Sequence, residues 1–415
     1  MTQRNEQIIL IAGAGIGGLT AALALARHGF AVEIYERREQ REIFMAGSGL
    51  TIWSNATTML AKLGLGDELL ERGEKVFGGR SVNEHERAIY RMHSGRYTWS
   101  GSADSISISR GDLVELLMAA CEKAGVAIHL GRRCIGYDQS ASGVTIKLDN
   151  GDTAEGSVLI GADGIRSAVL TQMAGGLPEL LYTGRSTYRG ISPTSAGLEP
   201  GLVYMFHHAG TKVGGGAWHV GHDRVAWTLS REAEPGGRDE AGTLKARATE
   251  LSAPLPGLPS SLVAATPSHD VIRTDIFYHD WRETWGDRRV TLLGDAAHAM
   301  PTDLGQGACQ AIEDGLVLAD SLASVDSPEA ALRDYELRRI PRVKWIRDQV
   351  FRLVKWPQIH NQVVKWVVTH VVAPVVIAVS QRKLWRELQR PPELRVALGD
   401  ATPVRDATPA RDATR

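Results

Sequence analysis

Residues 8–36 read IILIAGAGIGGLTAALALARHGFAVEIYE, and the order of events in this stretch decides the fold. Residues 8–12 are wholly apolar and stop at a glycine, which predicts a short buried strand of a parallel sheet. Residues 16–28 are small and apolar with helical spacing, and Gly29 takes the C-cap position behind them. Residues 31–36 form the next strand, so the chain opens with a βαβ unit. The turn between the first strand and the helix is Gly13-Ala14-Gly15-Ile16-Gly17-Gly18, a GxGxxG match. Gly13 permits the tight turn, Gly15 lets the backbone approach a pyrophosphate, and Gly18 lets helix and strand pack closely. The helix N-terminus then faces the phosphates. Glu36 ends the second strand about 20 residues on, where a carboxylate binds ribose hydroxyls. Strand, helix and acid together indicate a bound dinucleotide, without choosing between NAD and FAD.

The choice comes from residues 290–307, VTLLGDAAHAMPTDLGQG. A buried run ends on Gly294-Asp295, and the following turns are nearly free of large side chains. Asp295 at a strand end suits a second contact with an extended dinucleotide, its carboxylate accepting from a ribityl hydroxyl. Gly305-Gln306-Gly307 opens a further helix, whose free N–H groups face an electron-rich ring edge. The alternative is that Asp295 only caps a helix.

The totals set bounds. With 415 residues the chain has room for two or three domains. A net charge of −1 leaves no global field to attract nucleic acid. The three cysteines, Cys121, Cys134 and Cys309, form no CxxC pair, which argues against a thiolate metal site and for a reducing compartment. The N-terminus lacks the composition of a signal peptide, so the expected location is cytoplasmic.

Further along, residues 112–124 predict an amphipathic helix and 126–160 a β-meander with a turn at Asp149-Asn150-Gly151. Residues 185–232 predict a mainly antiparallel sheet and 233–240 a loop, with helix and Pro-rich loop mixed over 242–265. Helices are expected at 309–325 and 328–356. Residues 391–415, with an RDATP repeat and no core formers, are expected to be a disordered tail.

GAGIGG with Glu36, GADGIRS at 161–167 and GDAAHAMP at 294–301 together resemble the FAD-dependent aromatic hydroxylases. These single-component flavoprotein monooxygenases include salicylate, hydroxybenzoate and phenazine hydroxylases and zeaxanthin epoxidase. The resemblance runs from about residue 8 to 345 and is loosest in the middle third. It implies an α/β fold: a Rossmann-like FAD-binding domain, an inserted mainly antiparallel β-sheet substrate domain, and C-terminal helices. The FAD-binding domain would comprise residues 1–80, 100–182 and 273–325. The substrate domain would comprise 81–99 and 183–272, followed by a helical region at 326–390 and a tail at 391–415.

Residue by residue, the resemblance implies that Gly13, Gly15, Ile16, Gly17, Gly18, Glu36 and Arg37 hold the ADP half of FAD. Gly49 lies where the backbone passes the flavin, and Arg110 reaches the FAD phosphates. Asp163 meets both FAD and the reduced nicotinamide, or stabilises its own turn, or both. Asp295 binds the ribityl chain, Pro301 lies near the flavin's reactive edge, and Gly305, Gly307 and Ala308 form the helix N-terminus below the ring. The absence of a second GxGxxG fits a family in which NAD(P)H visits transiently.

The implied activity is an FAD- and NAD(P)H-dependent hydroxylation of an aromatic or polycyclic small molecule by O2 through a flavin C4a-hydroperoxide. FAD carries the chemistry while the protein positions the partners and excludes water. Arg189 in TYRGISP and His219 in GGAWHVG are the candidate catalytic side chains, with Pro301 beside them. Epoxidation of an isoprenoid or alkene, or non-catalytic metabolite binding, are the alternatives. His207, His208, His219 and His222 lack the carboxylate or cysteine pattern of a metal site. Residues 333–390 carry thirteen Lys/Arg against four acids and enclose the apolar run 363–379. That run is short of the roughly 20 apolar residues of a spanning helix. Packing helices are the expectation, and membrane-surface docking through Trp356, Trp366 and Trp385 is the alternative. The expected assembly is a monomer or homodimer.

Overall fold

The computed structural model describes residues 7–39, 48–82, 88–93, 98–208, 210–236, 239, 242–255, 257–355 and 383–398. A six-stranded sheet forms the first layer, in the order Gly286–Asp287, Val290–Leu292, Val158–Gly161, Ile8–Ala12, Ala31–Glu36, Ala127–Leu130. All its pairings are parallel except that of the Gly286–Asp287 edge. The helix Ile16–Arg27 packs between this sheet, the helix Arg110–Lys123 and the helix Gly307–Ser324. Its residues Ile16 to Leu25 are all buried, which is why it is apolar on every side rather than striped.

The stretch 126–160 divides differently from the expected meander. Cys134–Gln139, Val144–Leu148 and Thr153–Gly156 form a three-stranded antiparallel sheet. Ala127–Leu130 and Val158–Gly161 instead join the parallel sheet on either side of the opening strands. Val158–Gly161 is buried at every position, as a central parallel strand must be.

The second layer is a seven-stranded sheet: Ile272–His279, Leu180–Ser192, Val225–Glu232, Val213–His219, Leu202–His208, Gly78–Val82, Ala88–His93. It is antiparallel except between Leu202–His208 and Gly78–Val82. One face packs on the helices Leu244–Ser252 and Gly257–Ala265 around Trp227, whose Nε1 donates to Thr266 Oγ1 at 2.8 Å. The other face turns toward the first layer. Gly49 makes that approach close: a Cβ there would overlap Ala226 and stand 2.8 Å from Trp218 Nε1.

The helix Pro328–Lys355 lies against the Gly307–Ser324 helix. Residues 391–398, expected within a disordered tail, pack instead: Leu394, Val396 and Leu398 touch the main core. The Asp320 carboxylate accepts the backbone N–H groups of Arg395 and Val396 at 2.7 and 2.8 Å. The apolar run 363–379, with Trp356 and Trp366, lies outside the described residues. Among the described residues no helix is long and apolar enough to cross a membrane.

At the opening turn, Gly13 has φ +103°, and a Cβ there would stand 2.5 Å from Ala162 O. A Cβ on Gly18 would overlap the Gly13 carbonyl oxygen. Gly18→Ala is therefore expected to destabilise the protein by about 1–3 kcal/mol through overpacking. Urea unfolding of the variant checks this, and an unchanged midpoint would contradict it.

Candidate active site

The two layers enclose a cavity of about 1550 Å³. Gly13, Gly15, Ile16, Gly17, Glu36, Arg37, Gly49, Arg110, Asp163, Arg189, Asp295, Pro301, Gly305, Gly307 and Ala308 all border it. Gly18 and His219 do not. Gly18 is turned against Gly13, as above. His219 is a correction of the expected catalytic role. Alternation along Val213–His219 puts Trp218 on the cavity side and His219 on the other face. There its Nε2 hydrogen-bonds Leu198 O at 2.9 Å, and the ring is only 5% exposed. His207 borders the cavity, whereas His208 bonds Thr211 in the following turn.

At one end the Ile16–Arg27 helix starts on Gly15 with no side-chain cap, leaving N–H groups free for an anion. A Cβ on Gly15 would meet nothing within 4 Å, so the residue opens onto the cavity. Glu36, nearly buried, accepts from Ala14 N–H at 2.8 Å through Oε2 and from Arg38 N–H at 3.0 Å through Oε1. These bonds fix the carboxylate at the cavity edge, where ribose hydroxyls would donate to it.

Asp163 carries both readings of its motif. Its Oδ2 accepts from Ala168 N–H at 2.7 Å, holding the turn into the helix Ala168–Met173. Its Oδ1 is buried without a partner among the described residues. Burial pushes the carboxyl above its usual range, against hydrogen bonds from Ser167 and Ala168 that lower it. That Oδ1 oxygen, on a residue that borders the cavity, keeps the capacity to accept from a donor. Asp295 is exposed into the cavity while its neighbours Leu293, Gly294 and Ala296 are buried. The N-cap of its short helix is Gly294, at φ +61°, so capping does not account for the aspartate.

Arg38, Arg110 and Arg189 all border the cavity; Arg38 pairs with Glu36, and Asp295 and Glu36 partly offset the charge of Arg110. Burial lowers the Arg110 guanidinium below its usual range, and the charge of Arg38 adds to this. Burial and the charge of Arg110 do the same to Arg189. Arg189 Nε is buried with no partner among the described residues. Such a group of cations favours an anionic or electron-rich ligand. Arg189 stands on the inner face of the seven-stranded sheet beside Thr228 and Ile272, with Met205, Trp218 and Thr187 on the same face. Arg185 grips Asp303 with two bonds of 2.9 and 2.7 Å, tying this sheet to the Pro301 loop.

Sequence reasoning missed what holds the Gly294 turn. Asp314 Oδ2 accepts from Gly294 N–H at 3.1 Å and bonds His298 Nε2 at 2.6 Å. Arg339, 2% exposed, donates to Asp314 at 2.7 Å, Glu313 at 2.6 Å and Gln310 Oε1 at 2.7 Å. Asn55 closes the cluster with a 2.6 Å bond to Glu313. Burial alone would raise both carboxyls. Arg342 and Arg339 beside Glu313, and His298 and Arg339 beside Asp314, hold them below the usual range. Arg339 is one of thirteen basic residues in its region, and charge counting does not tell a buried arginine from a surface one.

A family model described as an FAD binding domain matches residues 6–350. The chain is 33% identical over 362 residues to aurachin C monooxygenase/isomerase of Stigmatella aurantiaca, across 86% of this chain and 92% of that protein. It is 30% identical over 354 residues to an FAD-dependent urate hydroxylase of Klebsiella pneumoniae, across 83% and 88%. Its fold matches the crystal structure of Klebsiella pneumoniae HpxO complexed with FAD and uric acid. The TM-score is 0.81, at 24% identity over 94% of this chain and 98% of that one. The chain belongs to this FAD-binding family, that of the FAD-dependent monooxygenases. FAD is its cofactor, and NAD(P)H is the reductant typical of the family. The residues present fit the cofactor: an uncapped helix behind Gly15, the orphaned Asp163 oxygen, and Asp295 aimed into open space.

Two outcomes follow. Gly15→Ala should weaken FAD binding while costing the apoprotein no more than about 1 kcal/mol, because its methyl group enters the open cavity and alanine is only a poorer N-cap than glycine. Isothermal titration with FAD reads this, and unaltered affinity would contradict it. Arg339→Met should cost about 3–5 kcal/mol near neutral pH by removing a charged partner from each of two buried carboxylates. In the parent these depressed carboxyls stabilise the fold above about pH 4 and lose that contribution as pH falls. In the variant they are depressed less, so its deficit should shrink on acidification. A deficit that grows in acid would refute the assignment.

Proposed function

We propose that the protein hydroxylates an aromatic or polycyclic small molecule, with FAD as resident cofactor, NAD(P)H as reductant and O2 as co-substrate. The observation that carries the reading is one continuous cavity. It joins the Gly13–Gly18 turn and Glu36 to a sheet face bearing Arg189, Met205, Trp218 and Thr228. When bound, FAD supplies electron transfer from NAD(P)H to O2 and delivery of one oxygen atom to the substrate.

The protein's own groups do the rest. Glu36 holds the ribose of the ADP half, and the Gly15 helix N-terminus with Arg110 holds the phosphates. Asp295 accepts from the ribityl chain, and the helix behind Gly305, Gly307 and Ala308 offers its N–H groups to the ring. Pro301, between Met300 and the Asp303 ion pair, shapes the compartment where ring and substrate meet. Leu50, Val203, Met205, Ile272 and Met300 give that compartment apolar walls that keep water out. Arg189 borders this compartment, where its guanidinium orients a substrate oxygen and stabilises negative charge on it. That charge makes a phenolic ring more nucleophilic.

The direct test is turnover of a panel of phenolic and heteroaromatic compounds with FAD, NAD(P)H and isotopically heavy O2. One labelled oxygen in the product supports the reading. Reductant consumption that no aromatic compound stimulates would overturn it. On an active substrate, Arg189→Gln should lower kcat/KM about 10–100-fold, the loss of one charged hydrogen bond of about 1.5–3 kcal/mol. Steady-state kinetics checks the figure.

A further inference from the structure

One wall of the cavity comes from a segment that carries no motif. Leu384 and Trp385 border the cavity from the C-terminal side of the chain. The sequence offered Trp385 as an interfacial anchor for a membrane surface; the structure turns it inward instead.

The backbone around it is clamped. Arg342 donates to Glu387 O at 2.6 Å and Leu388 O at 3.1 Å. Arg338 donates to Glu393 O at 2.8 Å, and Asp320 holds the two N–H groups beyond it. Trp99 Nε1 donates to Arg386 O at 2.8 Å, and the Arg386 and Arg390 guanidiniums lie 4.9 and 5.3 Å from the Trp99 ring. The chain is thus tied directly after Trp385 and again further on. A tryptophan has only two side-chain torsions, so fixing its backbone fixes most of its position.

The indole meets that of Trp53 at 4.9 Å between centroids, tilted by 56°. Trp53 in turn donates Nε1 to Leu304 O at 3.1 Å, inside the loop that begins at Pro301. Trp385 and Trp53 therefore border the cavity beside the loop that begins at Pro301. The only polar atom of the Trp385 side chain is its indole N–H, so the wall is chiefly a flat apolar surface suited to an aromatic ring.

We infer that Trp385 is the end wall of the substrate compartment and sets the length of aromatic substrate that fits. The inference rests on the proposed aromatic hydroxylation and names the residue that limits its substrate. Shortening this side chain opens the compartment; an aromatic replacement keeps it closed.

The experiment uses the full-length, FAD-saturated protein and its Trp385→Ala and Trp385→Phe variants, without NAD(P)H. Phenol, 2-naphthol and 9-hydroxyphenanthrene are titrated in turn, and binding is read from perturbation of the flavin's visible absorption. FAD affinity is measured separately on the apoproteins. In Trp385→Ala, preference for the three-ring over the one-ring ligand should rise about tenfold, the worth of one lost aromatic contact plus the space it vacates. Trp385→Phe should behave like the parent, and FAD affinity should not change in either. Three results would overturn the inference. If the parent binds the ligands but all three proteins share one size preference, Trp385 is no end wall and the aromatic reading survives. If FAD affinity falls while size preference holds, Trp385 serves the cofactor instead. If the parent binds none of the three, the aromatic reading falls and the inference with it.

Discussion

The buried ion cluster around Arg339 is the constraint on which the site depends. One guanidinium bonds Asp314, Glu313 and Gln310, all within the Gly307–Ser324 helix, while Asp314 reaches across to Gly294 N–H and His298. The Gly294-Asp295 turn and the N-terminal half of that helix are therefore fixed to each other by a shared carboxylate. A buried ion pair is weak evidence of net stability, because desolvation offsets much of the attraction. Its value here is geometric. It holds the Gly294-Asp295 turn and the first half of the Gly307–Ser324 helix in one register, and a hydrophobic replacement of the same volume would not set their relative angle.

The second constraint is distance. Gly13, Gly18 and Gly49 each occupy a point where a Cβ has no room. The first two press the opening helix against its strand. The third lets the seven-stranded sheet come down over the cofactor layer. The cavity is the space left between those layers. The Arg185–Asp303 pair and the clamped segment 383–398 then tie its rim. Among the described residues Arg189 Nε has no partner and Arg110 is its charged neighbour, so an anionic or electron-rich ligand completes the electrostatics there rather than disturbing them.

Much of this was legible in the sequence, for reasons that differ by element. Residues 8–36 and 290–307 carry their structure locally: strand, turn chemistry and helix are neighbours in the chain, so motif and geometry coincide. The Gly13, Asp163 and Asp295 positions arrive at one cavity because each follows the C-terminal end of one of three neighbouring parallel strands, 8–12, 158–161 and 290–292. His219 failed because its role depends on parity. One residue along the strand separates the cavity face from the covered face, and only the pairing with Val225–Glu232 fixes which is which. The strands 127–130 and 158–161 failed for a related reason: alternation shows a strand but not its sheet. Arg339 and Trp385 were illegible because each is defined by partners far along the chain, Gln310 to Asp314 for one and Trp53 for the other. In composition both belonged to a basic, tryptophan-bearing region that suggested a surface.

The proposed position of FAD runs along the cavity from the Gly13 turn to the Pro301 loop. The most direct measurement is the visible absorption spectrum of the purified protein, with the bound cofactor released and identified chromatographically. The account predicts a yellow protein that releases one FAD per chain, or an apoprotein that takes up FAD to that ratio. A colourless protein that refuses added FAD, or that holds a nicotinamide dinucleotide tightly in its place, would contradict it.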